Sequence, residues 1–135
     1  MAREHSSLTS QLAGAAILVA EREPIARTSL SELFRYDGHR VHEAADSAAA
    51  IDHIKSDHST GVIMLDLEMP SWRSVVTHAQ GSVPAALILA MSTQDSSQRT
   101  VAAQRLGVHG YLIKPLVFND VCATILRLIT GRPLR

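Results

Sequence analysis

Cysteine is almost missing from this chain: Cys122 stands alone in 135 residues, so no internal disulfide is available and a reducing compartment suits it. Its apolar surroundings make it a small core side chain rather than a reactive thiol. An excess of either charge is missing too. Thirteen Lys and Arg face thirteen Asp and Glu, zero formal charge with histidine neutral, so there is no basic field to hold nucleic acid by counterion release. No apolar run reaches the ~18 residues of a membrane span. Treating residues 12–20 as the apolar part of a signal peptide would remove a segment that the remaining pattern needs as a strand. The expectation is a cytoplasmic chain without a membrane or nucleic-acid partner. No Gly-rich or Ser/Thr-rich phosphate loop follows the first apolar run, which argues against a nucleotide or flavin carrier.

What is present suffices for one core: 46% of the residues are apolar, ample for one domain of this length and thin for two. Residues 1–13 lack periodicity and predict a loose tail, residues 14–131 one domain, and 132–135 a C-terminal tail or the start of a linker. Short apolar runs, AAILVA (15–20), RVHEA (40–44), VIMLD (62–66), AALILAM (85–91) and GYLIK (110–114), read as five strands. Helix-length segments lie between them. Pro24 opens the first, which Asp37-Gly38 stops; Asp46 caps the second, over 47–55; a fourth covers about 95–106 before Gly107; the last covers about 118–130 before Gly131. Between Met69 and Gly81 polar residues dilute the pattern, and the expectation is a short or irregular helix. Apolar strands alternating with helices predict a five-stranded parallel sheet in a three-layer α/β/α sandwich.

Ligands in such sheets bind beyond the carboxyl ends of the strands. There stand Glu21 and Arg22 after the first strand, Asp66 after the third, Ser92 after the fourth and Lys114 at the fifth. A carboxylate that accepts a phosphoryl group needs a cation against developing charge, a hydroxyl and an ammonium for the phosphoryl oxygens, and usually a metal held by further carboxylates. The set matches that chemistry except at Arg22.

The strings ILVAEREP, VIMLDLEMP, LILAMS and GYLIKP, in this order and each at a strand end, resemble the receiver domain of bacterial two-component response regulators, over residues 15–131. The resemblance implies a flavodoxin-like (β/α)5 fold, a signalling module rather than an enzyme, and Asp66 as phosphoacceptor from a sensor histidine kinase or phosphotransfer protein. It implies Ser92 and Lys114 as partners of the phosphoryl group, a cis bond at Lys114-Pro115, and Ser92 with Tyr111 as the switch to a downstream protein partner. The apolar last helix, with the last strand, would form a docking or homodimer face, unless that helix is buried in its own domain.

Relatives carry two acids after strand one, the second a direct Mg²⁺ ligand; here that position is Arg22, which cannot ligate a cation. Metal binding is therefore doubtful, with Glu21, Asp66 and Glu68 as the weak set that remains. One expectation puts Arg22 against Asp66, replacing part of the metal's charge and lowering the Asp66 pKa. The other turns it to solvent. Trp72 covers either the site or the sheet. The alternative function is a receiver-like interaction module that works without phosphorylation, held in one state by an Arg22–Asp66 ion pair. Whether the chain stands alone or belongs to a longer regulator stays open.

Overall fold

The structure, a computed structural model, describes residues 8–93 and 97–131. Five strands, β1 (Ala16–Ala20), β2 (Arg40–Ala44), β3 (Thr60–Asp66), β4 (Leu87–Ser92) and β5 (Gly110–Ile113), form one parallel sheet in the order β2-β1-β3-β4-β5. Between and after them run α1 (Pro24–Tyr36), α2 (Ser47–Ser56), α3 (Trp72–Ser82), α4 (Ser97–Leu106) and α5 (Phe118–Thr130). Residues 95 and 96, where the fourth helix was expected to begin, lie outside the described residues.

Alternation along the strands divides the core into two halves. Leu18 and Ala20 of β1 face α2, α3 and α4 through Ile54, Val75 and Ala103, while Ile17 and Val19 face α1 and α5 through Phe34, Val121 and Ile125. The helix boundaries follow local chemistry. The Glu23 carboxylate accepts from the Ala26 N–H ahead of Pro24, Asp46 accepts from the Ala49 N–H, and Gly107 takes the left-handed φ of 99° that ends α4.

Three expectations need correction. Residues 8–11 form a helical turn, and Leu8 and Leu12 are buried against the α1 side of the core, so a loose tail fails from residue 8 onward; residues 1–7 lie outside the described residues. The third helix is regular over eleven residues, because Trp72, Val75, Val76 and Ala79 supply the i, i+3, i+4, i+7 stripe between the polar residues that masked it. Ser71 admits it by taking a left-handed φ of 65°. Trp72 covers the sheet, with the Arg73 guanidinium 4.6 Å from its ring. The last helix presents no exposed apolar strip: Val121, Cys122 and Ile125 are buried and Leu128 and Ile129 pack against them.

Far from the carboxyl edge, Asp57 ties β2 to the end of α2. Its Oδ2 accepts from Arg40 Nη1 at 2.5 Å and lies 2.9 Å from His42 Nε2, while Oδ1 accepts from the Ser59 hydroxyl at 2.5 Å. The Ser59 hydroxyl first, then His42 and Arg40, hold this carboxyl far below the ordinary range.

Leu8→Ala is expected to cost about 2–5 kcal/mol in urea unfolding; an unchanged midpoint would return that segment to a tail. A folded pKa below the unfolded value contributes stability that is present above about pH 3.8 and is lost as pH falls through the folded value. Asp57→Asn should therefore destabilise most at neutral pH, with the gap to wild type narrowing on acidification in a pH series of denaturation curves.

Candidate phosphoacceptor site

The strand order reverses between β1 and β3, and the ends of those two strands carry Glu21 and Asp66. Asp66 closes β3 with its side chain fully buried. Each of its oxygens has a backbone donor: the Glu68 N–H reaches Oδ1 at 2.8 Å and the Arg22 N–H reaches Oδ2 at 3.1 Å. Lys114, brought alongside by its own N–H donating to the Ser92 carbonyl at 2.8 Å, places Nζ 3.1 Å from Asp66 Oδ1 and 2.8 Å from Glu21 Oε1. The Lys114–Pro115 peptide is cis. Glu21 Oε2 accepts from the Glu23 N–H at 2.9 Å, and Arg27 Nη1 donates to the Glu21 carbonyl at 2.9 Å.

One ammonium thus bridges two buried carboxyls. Burial, then the hydrogen-bonded approach of Asp66, pushes Glu21 above the ordinary carboxylate range. Burial works in the same direction on Asp66, yet the hydrogen bonds from Glu21 and from the Glu68 and Arg22 N–H groups, with the Lys114 charge, outweigh it and hold Asp66 below its usual value. For Lys114, burial favours the neutral amine, but the two carboxylates overcome it and raise the pKa. Asp66 is therefore the carboxyl that keeps its charge, and Glu21 the one that takes up a proton first.

The expected residues fall into two groups. Asp66, Glu21 and Lys114 meet; Ser92 ends β4 beside them in the sheet, its side chain buried. The remaining three go elsewhere. The Arg22 guanidinium is exposed and forms no ion pair among the described residues, so the expected Arg22–Asp66 pair is absent and Lys114 takes that role. Glu68 turns toward α4, where Arg99 Nη1 lies 3.3 Å from both of its oxygens. Among the described residues no three His, Cys, Asp or Glu side chains gather as a metal site. Tyr111 is half-buried on β5 and donates its hydroxyl to the Thr100 carbonyl at 2.6 Å, which ties β5 to α4. Arg27 and Arg99 were missed by sequence reasoning. Arg27 lies one helical turn from Glu23, where its reach to the Glu21 carbonyl was foreseeable; nothing in the sequence marks the partner of Arg99.

Beside the site a cavity of about 450 Å³ is lined by Glu21, Leu30, Leu33, Lys114, Leu116 and Phe118, among others. It opens onto Lys114 and Glu21 from the α1 and α5 side.

A doubly wound parallel sheet with a carboxylate at its β1/β3 switch point, paired to a lysine from β5, defines a CheY-like fold. The family model of the response regulator receiver domain matches residues 17–126, and the chain belongs to that family. It is a receiver domain of two-component signalling, a module rather than a catalyst, and such domains partner with histidine kinases. Among its relatives is the transcriptional regulatory protein PdtaR of Mycobacterium tuberculosis, 27% identical over 114 residues that cover 81% of this chain and 54% of PdtaR. The chain thus spans about half the length of that relative. The CheY-like receiver domain protein from Methanospirillum hungatei superposes with a TM-score of 0.78 at 17% identity, over 87% of this chain and 94% of that one. The receiver domain of the sensor histidine kinase PA1611 from Pseudomonas aeruginosa, with a magnesium ion coordinated in its active-site cleft, gives 0.76 at 22%, over 87% and 99%. No helix among the described residues is long and apolar enough to cross a membrane.

A carboxyl whose folded pKa is raised stabilises the fold only while protonated, and that contribution is lost as pH rises through the folded value. Glu21→Gln removes the charge and keeps a single oxygen, which serves either Lys114 or the Glu23 N–H but not both. Its melting temperature relative to wild type should therefore rise from acid to neutral pH, whatever the constant offset from the lost contacts; a difference that stays flat or falls over that range contradicts a raised Glu21 pKa.

Proposed function

We propose that Asp66 accepts a phosphoryl group from the phosphohistidine of a sensor histidine kinase or phosphotransfer protein. The observation that carries this reading is a fully buried carboxylate kept charged by Lys114 and two backbone N–H groups at the carboxyl edge of the sheet. An oxygen of Asp66 attacks phosphorus; the O–P bond forms as the donor's P–N bond breaks, and the electron pair returns to the imidazole nitrogen. Lys114 and the Arg22 and Glu68 N–H groups meet the charge on the phosphoryl oxygens. Ser92 holds one of those oxygens, and the Tyr111–Thr100 bond relays the change to α4 and β5, where exposed Val101 and Ile113 offer an apolar contact for a downstream protein or a second copy. The donor side is α1, where Ile25, Leu33 and Tyr36 are exposed and Leu33 lines the cavity.

The PA1611 receiver holds magnesium in its cleft. In this chain the donor set does not fit a resident divalent cation, since Arg22 stands at the second acid position and Glu68 faces Arg99. No step of the transfer is assigned to one.

A second reading has one observation in its favour: both Asp66 oxygens are already engaged in a buried setting. It treats the chain as an interaction module that signals without phosphorylation. Incubation with acetyl phosphate, read by intact mass against Asp66→Asn, separates the two. One phosphoryl adduct in wild type and none in the variant is the expected result; wild type that stays unlabelled by acetyl phosphate and by phosphoramidate would move the assignment to the second reading.

A further inference from the structure

We propose that the Asp66 site is closed to divalent cations, with Lys114 supplying the counter-charge and Arg22 keeping the cation out. A small hard cation needs about six oxygens around it, commonly including one or two carboxylates, at close range. Two carboxylates, Glu21 and Asp66, are at hand. All four of their oxygens already accept from a donor with which a cation would compete: Lys114 on Glu21 Oε1, the Glu23 N–H on Glu21 Oε2, and Lys114 with the Glu68 N–H on Asp66 Oδ1. The fourth, Asp66 Oδ2, accepts from the Arg22 N–H.

That bond anchors the backbone of Arg22 at the site, while its side chain is exposed. A guanidinium offers no lone pair and keeps its charge at all accessible pH, so at this position it removes a ligand and adds a repulsive charge. Glu68 brings no compensation, because Arg99 holds its carboxylate. Glu21, Asp66, Lys114 and Arg22 together carry no net formal charge, so the site has little to gain from a dication.

The inference deepens the receiver reading by naming how its site is balanced, and it rests on that reading only for the identity of the site. Binding of Mn²⁺ to the metal-stripped full chain, followed by the loss of the free-ion EPR signal, tests it without any phosphoryl donor. Wild type should show no saturable binding up to about 1 mM. Arg22→Asp should bind at least tenfold more tightly, and adding Asp66→Asn should abolish the gain. Arg22→Ala removes the charge without adding a ligand and should fall between them, which keeps the proposal open to refutation where the Asp variant folds poorly. Saturable binding by wild type that matches Arg22→Asp and is lost in Asp66→Asn overturns it, as do Arg22→Asp and Arg22→Ala proteins that fold yet bind no better than wild type. Acetyl phosphate labelling fails or succeeds independently of this result.

Discussion

The bridge from Lys114 to Glu21 and Asp66 is the interaction on which the functional end of this molecule depends. Two carboxyls buried side by side cannot both ionise cheaply, and the ammonium lets one of them do so. Everything around the bridge serves to place its three members. β1 and β3 are central and adjacent, so their carboxyl ends bring Glu21 and Asp66 together, while β5 reaches them only because Lys114 is tied through its N–H to the Ser92 carbonyl across β4. Arg27 supports the turn after β1 from below through the Glu21 carbonyl, which in turn sets where the Arg22 N–H points.

The same arrangement makes the site polar and connected. Asp66 is linked through the Glu68 N–H to a residue that Arg99 of α4 holds, and Tyr111 links β5 to the same helix. Asp66 is therefore connected to α4 by two chains of contacts, one through the β3–α3 connection and one through β5. Neither route needs the last helix, whose apolar residues are spent on the core.

Much of this was legible in the sequence. The five strands were read to within two residues of their observed ends, because near-continuous apolar runs punctuated by charge leave few alternatives. Asp66, Lys114 and Glu21 were recoverable because the carboxyl-edge rule turns strand ends into a site. The failures have local causes. At α3 the four buried positions were present in the string, but Ser71, Ser74 and Gln80 were weighed as interruptions when they occupy the solvent face or the start of the helix. Leu8 and Leu12 are separated by one helical turn, too short a stripe to stand out from a polar segment. Arg22 was assigned by charge, yet its backbone, not its guanidinium, meets Asp66; side-chain direction at a strand end is set by the turn that follows and cannot be read from residue type.

The central claim is that Lys114 bridges an unequal pair, with Asp66 ionised and Glu21 the proton acceptor. Carboxyl ¹³C NMR through a pH titration, with Glu21→Gln and Asp66→Asn proteins for assignment, measures it directly. The account predicts that Asp66 titrates below the ordinary carboxylate range and Glu21 above it; two carboxyls titrating together in the ordinary range, or in the reverse order, would contradict it.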